Sequence, residues 1–249
     1  MSLTSLVGIT LVVLSVVLLI GLFLLKDRVK ASFRSIPAFT NFTKSIGTAV
    51  EQGTRVHFSL GSADVSRERT AASFVGLSAL RQIAELAAAS DKPPVTTSGD
   101  AVLAVLSQDN LQTAYHAAGM DEHYQADTGR VTGLTPFSYA AGTLSMIADE
   151  DVSSSFLAGG FGAEIGLLTE AIERQDTFTL AAADSLPAQA LVYASAKEPL
   201  IGEELFATGA YLETGRAHMV SLYVQDALRW IIVLVLLGGA AMKLLAGLV

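Results

Sequence analysis

The sequence predicts an α/β protein: a Rossmann-like parallel sheet with helices on its faces, flanked by an N-terminal and a C-terminal transmembrane helix. Two observations lead to this prediction. Between residues 55 and 212, short strand-like stretches alternate with helical stretches through short links, which is typical of a parallel sheet with right-handed crossovers. The apolar residues make up 51% of the 249, with a mean hydropathy of +0.48, and they concentrate in one long stretch at each end.

The chain accordingly divides into four parts. These are a first transmembrane helix over residues 1–25, a basic and amphipathic juxtamembrane segment over 26–54, a cytoplasmic α/β domain over 55–212, and a connecting helix with a second transmembrane helix over 213–249.

The first span runs from Thr4 to Leu25, which is 22 residues without a charge. A helix of this length measures about 33 Å, enough to cross the hydrocarbon core of a bilayer. The alternative is a cleaved signal peptide, which has a shorter apolar region behind basic residues. Because no basic residue precedes Thr4, we expect an anchor that is not cleaved.

The second span covers Trp230–Val249, 20 residues that only Lys243 interrupts. A lysine near a helix end can extend its ammonium group to the headgroups. Arg229 and Trp230 have the character of an interfacial anchor. Small residues at 238–241 would let another helix approach closely. The alternative is a buried C-terminal helix of a soluble domain.

Basic residues beside the first span predict the orientation. Lys26, Arg28, Lys30 and Arg34 follow this span directly, and no basic residue precedes it. The positive-inside rule then places both termini outside and the central domain in the cytoplasm of a cell with an inner membrane. The basic residues would lie against anionic lipid headgroups, so the lipid bilayer is one expected partner.

The central region carries the negative charge. Residues 45–228 contain 23 acidic and 9 basic side chains, a net charge of −14, which argues against nucleic acid as a partner. The absence of cysteine excludes disulfides and thiolate metal sites. Before this region, apolar residues recur at helical spacing from Ile36 to Val50. That helix could lie on the membrane, on another subunit or on its own domain.

The elements of the domain follow in order. Strands are predicted near residues 55–60, 130–134, 152–158 and 177–183, with a short strand that runs into a loop at 93–99, and helices near 72–89, 100–118, 162–174 and 203–211. Further helices start at Thr135–Pro136 and at Ser185, each an N-cap with a proline in the first turn, and Asp100 is a third cap. The alternation in residues 55–60 predicts a strand with one less buried face. The order of the strands is not readable.

Ligands of open parallel sheets bind beyond the carboxyl ends of the strands. The residues predicted there are Ser98, Asp100, Thr135, Gly160, Gly162, Asp184 and Ser185. Gly160-x-Gly162-x-x-x-Gly166 lies between a strand and a helix, and Asp184 follows Gly160 by 24 residues. Small residues let a phosphate approach a helix N-terminus, and an acid there can hold a ribose, so a nucleotide is a possible cofactor.

Two features oppose a nucleotide site. The glycine spacing is one residue longer than the dinucleotide fingerprint, and Glu164 in the first helical turn would repel an anionic ligand. A turn that needs glycine only for its backbone shape is the alternative.

No catalytic or metal-binding constellation stands out. His116, Asp121, Glu122 and His123 lack the paired histidines of a zinc helix. The acidic turn 149–151 could bind a divalent cation, although a solvated turn is more ordinary. We find no Walker loop, hydrolase elbow or kinase signature, and the sequence requires no cofactor.

Three phrases carry a family resemblance: TPFSYAAG at 135–142, DSLPAQA at 184–190 and IGEELF at 201–206. With the flanking spans they resemble an uncharacterised bacterial family of membrane-anchored proteins, a domain of unknown function. The resemblance covers nearly the whole chain and implies the same α/β domain and anchoring, but no activity, cofactor or catalytic residue.

We therefore expect a non-enzymatic, membrane-anchored α/β domain that serves as a structural or scaffolding component of a membrane assembly. Its partners would be copies of itself or another membrane protein. The alternative is a membrane-tethered nucleotide-binding or sensing domain that uses the Gly160–Gly166 turn and Asp184.

Overall fold

The computed structural model describes residues 3–24, 34–63, 70–88, 90–212 and 216–246 of the chain. It contains two compact units. Ser35–Thr214 form the α/β unit, and Met1–Arg34 with Gly215–Val249 form the helical unit.

A parallel sheet forms the centre of the α/β unit, as the sequence predicts, and it has six strands. The strands are β1 (Arg55–Gly61), β2 (Val95–Ser98), β3 (Gly129–Val131), β4 (Val152–Gly160), β5 (Phe178–Ala183) and β6 (Glu198–Leu200). Their spatial order is β3-β2-β1-β4-β5-β6, which is the order of doubly wound dinucleotide-binding domains. The sequence predicts five of these strands; the sixth pairs with β5 at the edge of the sheet.

Helices cover both faces of this sheet. In chain order they are α2 (Pro37–Gln52), α3 (Thr70–Ala87), α4 (Ala101–Ala117), α5 (Pro136–Asp149), α6 (Glu164–Arg174), α7 (Leu186–Ser195) and α8 (Glu204–Tyr211), after α1 (Leu3–Leu24) of the helical unit. The buried side chains of α2, α3, α4 and α8 join one apolar cluster, and those of α5, α6 and α7 join a second.

Helix α2 packs on its own domain, which was one of the three possibilities for the amphipathic segment. Its Phe42 ring lies 5.0 Å from the Phe156 ring of β4, and its Phe39 ring stacks on Tyr211 at 5.1 Å. The helix ends at Gly53, which adopts the left-handed conformation that commonly terminates helices.

The expectation of a less buried face on the first strand is wrong. From Val56 to Gly61 every residue of β1 is buried. Both faces of a parallel sheet are covered by helices, so its polar residues lie inside the protein rather than in solvent. His57 and Ser59, on the polar side of the alternation, are fully buried.

The helical unit contains α1 and α9 (Arg216–Ala246), which contact each other. Among the described residues, one helix is long and apolar enough to cross a membrane, over Met219–Leu244, whereas the apolar part of α1, Gly8–Leu24, is shorter. Of the predicted interface residues, Trp230 is exposed, and Arg229 lies 3.4 Å from Asp226. Lys243 lies in the last turn of α9. Lys26, Arg28 and Lys30 fall outside the described residues.

Candidate functional site at the carboxyl edge of the sheet

The order in which successive strands are added to the sheet reverses between β1 and β4, and doubly wound domains bind their ligands at this point. In this protein the two strands approach each other very closely at that point, since Gly61 pairs with Gly160. A Cβ atom on Gly159 would lie 1.9 Å from the Leu60 carbonyl oxygen, and one on Gly61 would lie 2.5 Å from the Gly160 carbonyl oxygen. Close strand packing therefore accounts for these glycines without a phosphate.

The side chain of Glu164 closes the turn between β4 and α6. Its carboxylate is 1% exposed and accepts hydrogen bonds from the Gly162 N–H at 2.8 Å and from the Ser62 hydroxyl at 2.5 Å. This is where an anion bound to the N-terminus of α6 would lie. Phe161 does not block the turn, because its ring is buried in the apolar cluster under α5–α7.

Ser98 ends β2, and Asp100 follows it as the N-cap of α4. The Asp100 carboxylate caps α4 by accepting hydrogen bonds from the N–H groups of Val102 and Leu103 at 2.8 and 3.0 Å. The Ser98 hydroxyl donates to the Asp100 carbonyl oxygen at 2.9 Å. The Asp100 carboxylate therefore satisfies two of the backbone N–H groups that the start of α4 leaves without partners in the helix.

Thr135 and Ser185 are also helix caps, but they lie far apart in the sheet order. Thr135 starts α5 through a capping box with Ser138. The Ser185 hydroxyl accepts from the Ala188 N–H of α7 and donates to the Phe161 carbonyl oxygen at 3.0 Å, which joins the loops after β4 and β5. Three strands separate β3, which precedes Thr135, from β5.

The structure thus brings together Gly160, which ends β4, with Gly162 and Ser185, which lie in the neighbouring loops after β4 and β5. Asp184 follows β5 directly, and its carbonyl oxygen accepts a hydrogen bond from Gln189 at 3.4 Å. The part that sequence reasoning missed is Ser62, which comes from the loop after β1 and holds Glu164 in place.

A second group of polar side chains is buried between the sheet and α5. His57 Nδ1 lies 2.6 Å from Ser155 Oγ of β4, and its Nε2 lies 2.9 Å from Thr97 Oγ1 of β2. The Tyr139 hydroxyl of α5 hydrogen-bonds with Ser59 and with Thr97. Burial lowers the pKa of His57 to about 3, so its ring is neutral at physiological pH. In the sequence, the alternation of polar and apolar residues in β1 is the signal for this group, but alternation by itself predicts a less buried face.

The acidic turn before β4 is occupied by ion pairs. The Glu150 carboxylate lies 3.1 Å from Arg55 Nε and 2.6 Å from Arg130 Nη1. Asp151 pairs with Lys92 at 2.9 Å. Within the described residues no group of three or more His, Asp or Glu side chains could hold a metal ion.

The outer surface of α5, α6 and α7 is largely apolar, and α6 contributes most of its charges through the exposed Glu170 and Arg174 and the half-buried Glu173. No charged residue occurs from Pro136 to Ala148 in α5 or in the whole of α7. A groove of about 400 Å³ separates α5 from α6, and one of about 720 Å³ separates α6 from α7. Large side chains beside these grooves, Phe137, Leu167 and Tyr193, are 66%, 51% and 74% exposed.

The described residues therefore define an α/β protein with a parallel sheet and a helix that could cross a membrane. The chain belongs to the family described as domain of unknown function (DUF6754), which matches residues 2–249. This match confirms the resemblance to an uncharacterised domain family. No curated protein and no solved structure matches the chain.

Proposed function

We propose that this chain is a non-enzymatic bacterial membrane protein whose Rossmann-like α/β unit is a structural or scaffolding component of a membrane assembly. The largely apolar outer surface of α5–α7 carries this proposal. Residues 45–228 have a net charge of −14, yet residues 136–148 of α5 and the whole of α7 are uncharged. The surface exposes Phe137, Leu167 and Tyr193, and its charges lie mainly on α6. Exposed apolar patches mark interaction sites, and interface centres are depleted of charged residues.

The proposed anchoring has two spans, both termini outside, and the α/β unit in the cytoplasm beside the inner membrane. The length of α9, the apolar stretch Gly8–Leu24 and the basic residues from Lys26 to Arg34 support it.

The natural absence of cysteine makes this topology directly testable. A cysteine at Ser2 should react with a membrane-impermeant maleimide in intact spheroplasts. A cysteine at Thr113, exposed on α4, should react only after the membrane is permeabilised. Labelling of Thr113→Cys in intact spheroplasts would contradict the topology.

The assembly itself is tested by purifying the full chain in a mild detergent and measuring the mass of the complex. We expect more than one copy, or one copy bound to another membrane protein. A strict monomer that binds no protein would contradict the proposal.

A nucleotide-binding or sensing function is the second candidate, because the strand order is that of dinucleotide-binding domains. The buried Glu164 carboxylate opposes it, since an anion at Gly162 would have to displace this side chain. We expect no thermal shift of the protein with saturating adenine nucleotides. A shift that is lost in Asp184→Asn would favour the nucleotide function instead.

A further inference from the structure

We propose that the assembly is a two-fold dimer of this chain in which α6 of one copy packs against α6 of the other, with the axis passing between Glu170 and Arg174. This inference rests on the proposed self-assembly and names the surface that forms it.

Helix α6 presents a ridge to the outside. Leu167, Glu170 and Arg174 are exposed and are spaced three and four residues apart, so they lie on one face of the helix. The Glu170 carboxylate pairs with the Arg174 guanidinium at 2.6 Å. The ridge is therefore apolar at one end and carries one charge of each sign at the other.

The groove between α5 and α6 is complementary to such a ridge. Phe137, Ala140 and Ala141 line it from α5, and Ala171 lines it from α6 together with Leu167, Glu170 and Arg174 of the ridge itself. Small side chains let another helix approach, and helices pack by placing the ridges of one into the grooves of the other. Because the ridge and the groove are neighbours on one surface, a two-fold axis between them fills the groove of each copy with the ridge of the other.

The charges on α6 are self-complementary about a two-fold axis, which suits a second copy of this chain. In a two-fold interface, residue i of one copy contacts residue j of the other and the reverse. An axis between Glu170 and Arg174 with antiparallel α6 helices brings Glu170 near Arg174 of the second copy, twice. Two acidic domains can approach here because α5 adds no charge before Asp149.

The experiment reverses each charge in the full chain and measures complex mass in mild detergent. Glu170→Arg places arginines opposite each other, and Arg174→Glu does the same with glutamates. Each variant alone should dissociate, with a Kd on the order of 10²-fold weaker, since like charges across an interface oppose association. When the two variants are co-expressed with different tags, complementary charges face each other again, and a mixed dimer should form.

Arg81 and Glu85 on α3 provide the matched control. They form the same kind of exposed pair, four residues apart at 3.1 Å. Glu85→Arg and Arg81→Glu should leave the mass unchanged, alone or together. Thermal melting of each variant separates dissociation from unfolding.

A charge-neutral variant covers the case in which a reversal destabilises the fold. Ala141→Trp fills the groove and should also dissociate the dimer, whereas Ala117→Trp, exposed at the end of α4, should not. If the natural chain is oligomeric and neither the reversals nor Ala141→Trp change its mass, this interface is wrong although self-assembly stands. Failure of the co-expressed variants to pair overturns the two-fold geometry. A single copy bound to another membrane protein overturns the dimer alone, whereas a single copy that binds no protein overturns the proposed function as well.

Discussion

The buried hydroxyl groups of Tyr139 and Tyr115 provide a matched test of what the polar network contributes to stability. Both side chains are almost completely buried. The Tyr139 hydroxyl hydrogen-bonds with Ser59 and Thr97, whereas the Tyr115 hydroxyl has no hydrogen-bond partner among the described residues. Burial raises the pKa of Tyr139, and it raises that of Tyr115 to about 12, so both phenols are neutral at pH 7.

Replacement of each tyrosine by phenylalanine removes one oxygen atom and little else. In Tyr139→Phe the remaining hydroxyl of Ser59 loses its partner inside the protein, and a buried polar group without a partner costs about 1–3 kcal/mol. We expect the free energy of unfolding to fall by about 2 kcal/mol. In Tyr115→Phe no hydrogen bond is lost and a buried polar atom is removed, so stability should stay the same or rise by up to about 1 kcal/mol.

The measurement is urea unfolding of the full chain in mild detergent, followed by far-ultraviolet circular dichroism. A loss of about 2 kcal/mol corresponds to a fall of roughly 4–8 °C in Tm for a domain of this size. Equal effects of the two substitutions would refute the reasoning, because the two hydroxyls differ in their hydrogen bonds.

Three further changes test other parts of the structure. Gly159→Ala should lower the free energy of unfolding by more than about 3 kcal/mol, because the added Cβ would clash with the Leu60 carbonyl oxygen. In the same urea titration, the control Gly47→Ala on the exposed side of α2 should leave stability unchanged or raise it. The pKa of His57 is about 3 in the folded state and 6.5 in the unfolded state. The stability that comes from keeping this ring neutral is therefore complete above pH 6.5 and is lost as the pH falls towards 3. The free energy of unfolding should therefore drop by about 2 kcal/mol between pH 7 and 5, and this drop should be absent from His57→Gln. If stability falls equally with pH in the natural protein and the variant, this explanation is wrong. Glu164→Ala should lower the free energy of unfolding by about 2 kcal/mol, and Glu164→Gln should lower it less, because the glutamine oxygen can still accept hydrogen bonds from Ser62 and Gly162. Equal falls in Tm for the two variants would argue against these hydrogen bonds.

Local signals made the helix starts predictable. Asp100, Thr135 and Ser185 each cap a helix in the structure, because an N-cap needs only its own residue and the next three. The edge strand β6 was not predictable in this way. It has three residues, one of them Pro199, and it forms through its pairing with β5.

Long-range contacts decided what the sequence could not reveal about the site. The glycine turn and the unfavourable position of Glu164 were visible in the sequence, but its hydrogen bond to Ser62 joins residues 102 positions apart. The same holds for His57, whose partners Ser155 and Thr97 come from the two neighbouring strands. Their polarity was readable, but their burial depends on strand order and on the placement of α5.

Subunit counting in native membranes tests the proposed self-assembly most directly. The full chain would carry one fluorescent label per copy, and photobleaching steps would be counted in single membrane particles at low expression. We predict that two-step bleaching predominates and that Glu170→Arg converts it to single steps. Single-step bleaching of the natural chain in all particles would contradict the proposed dimer.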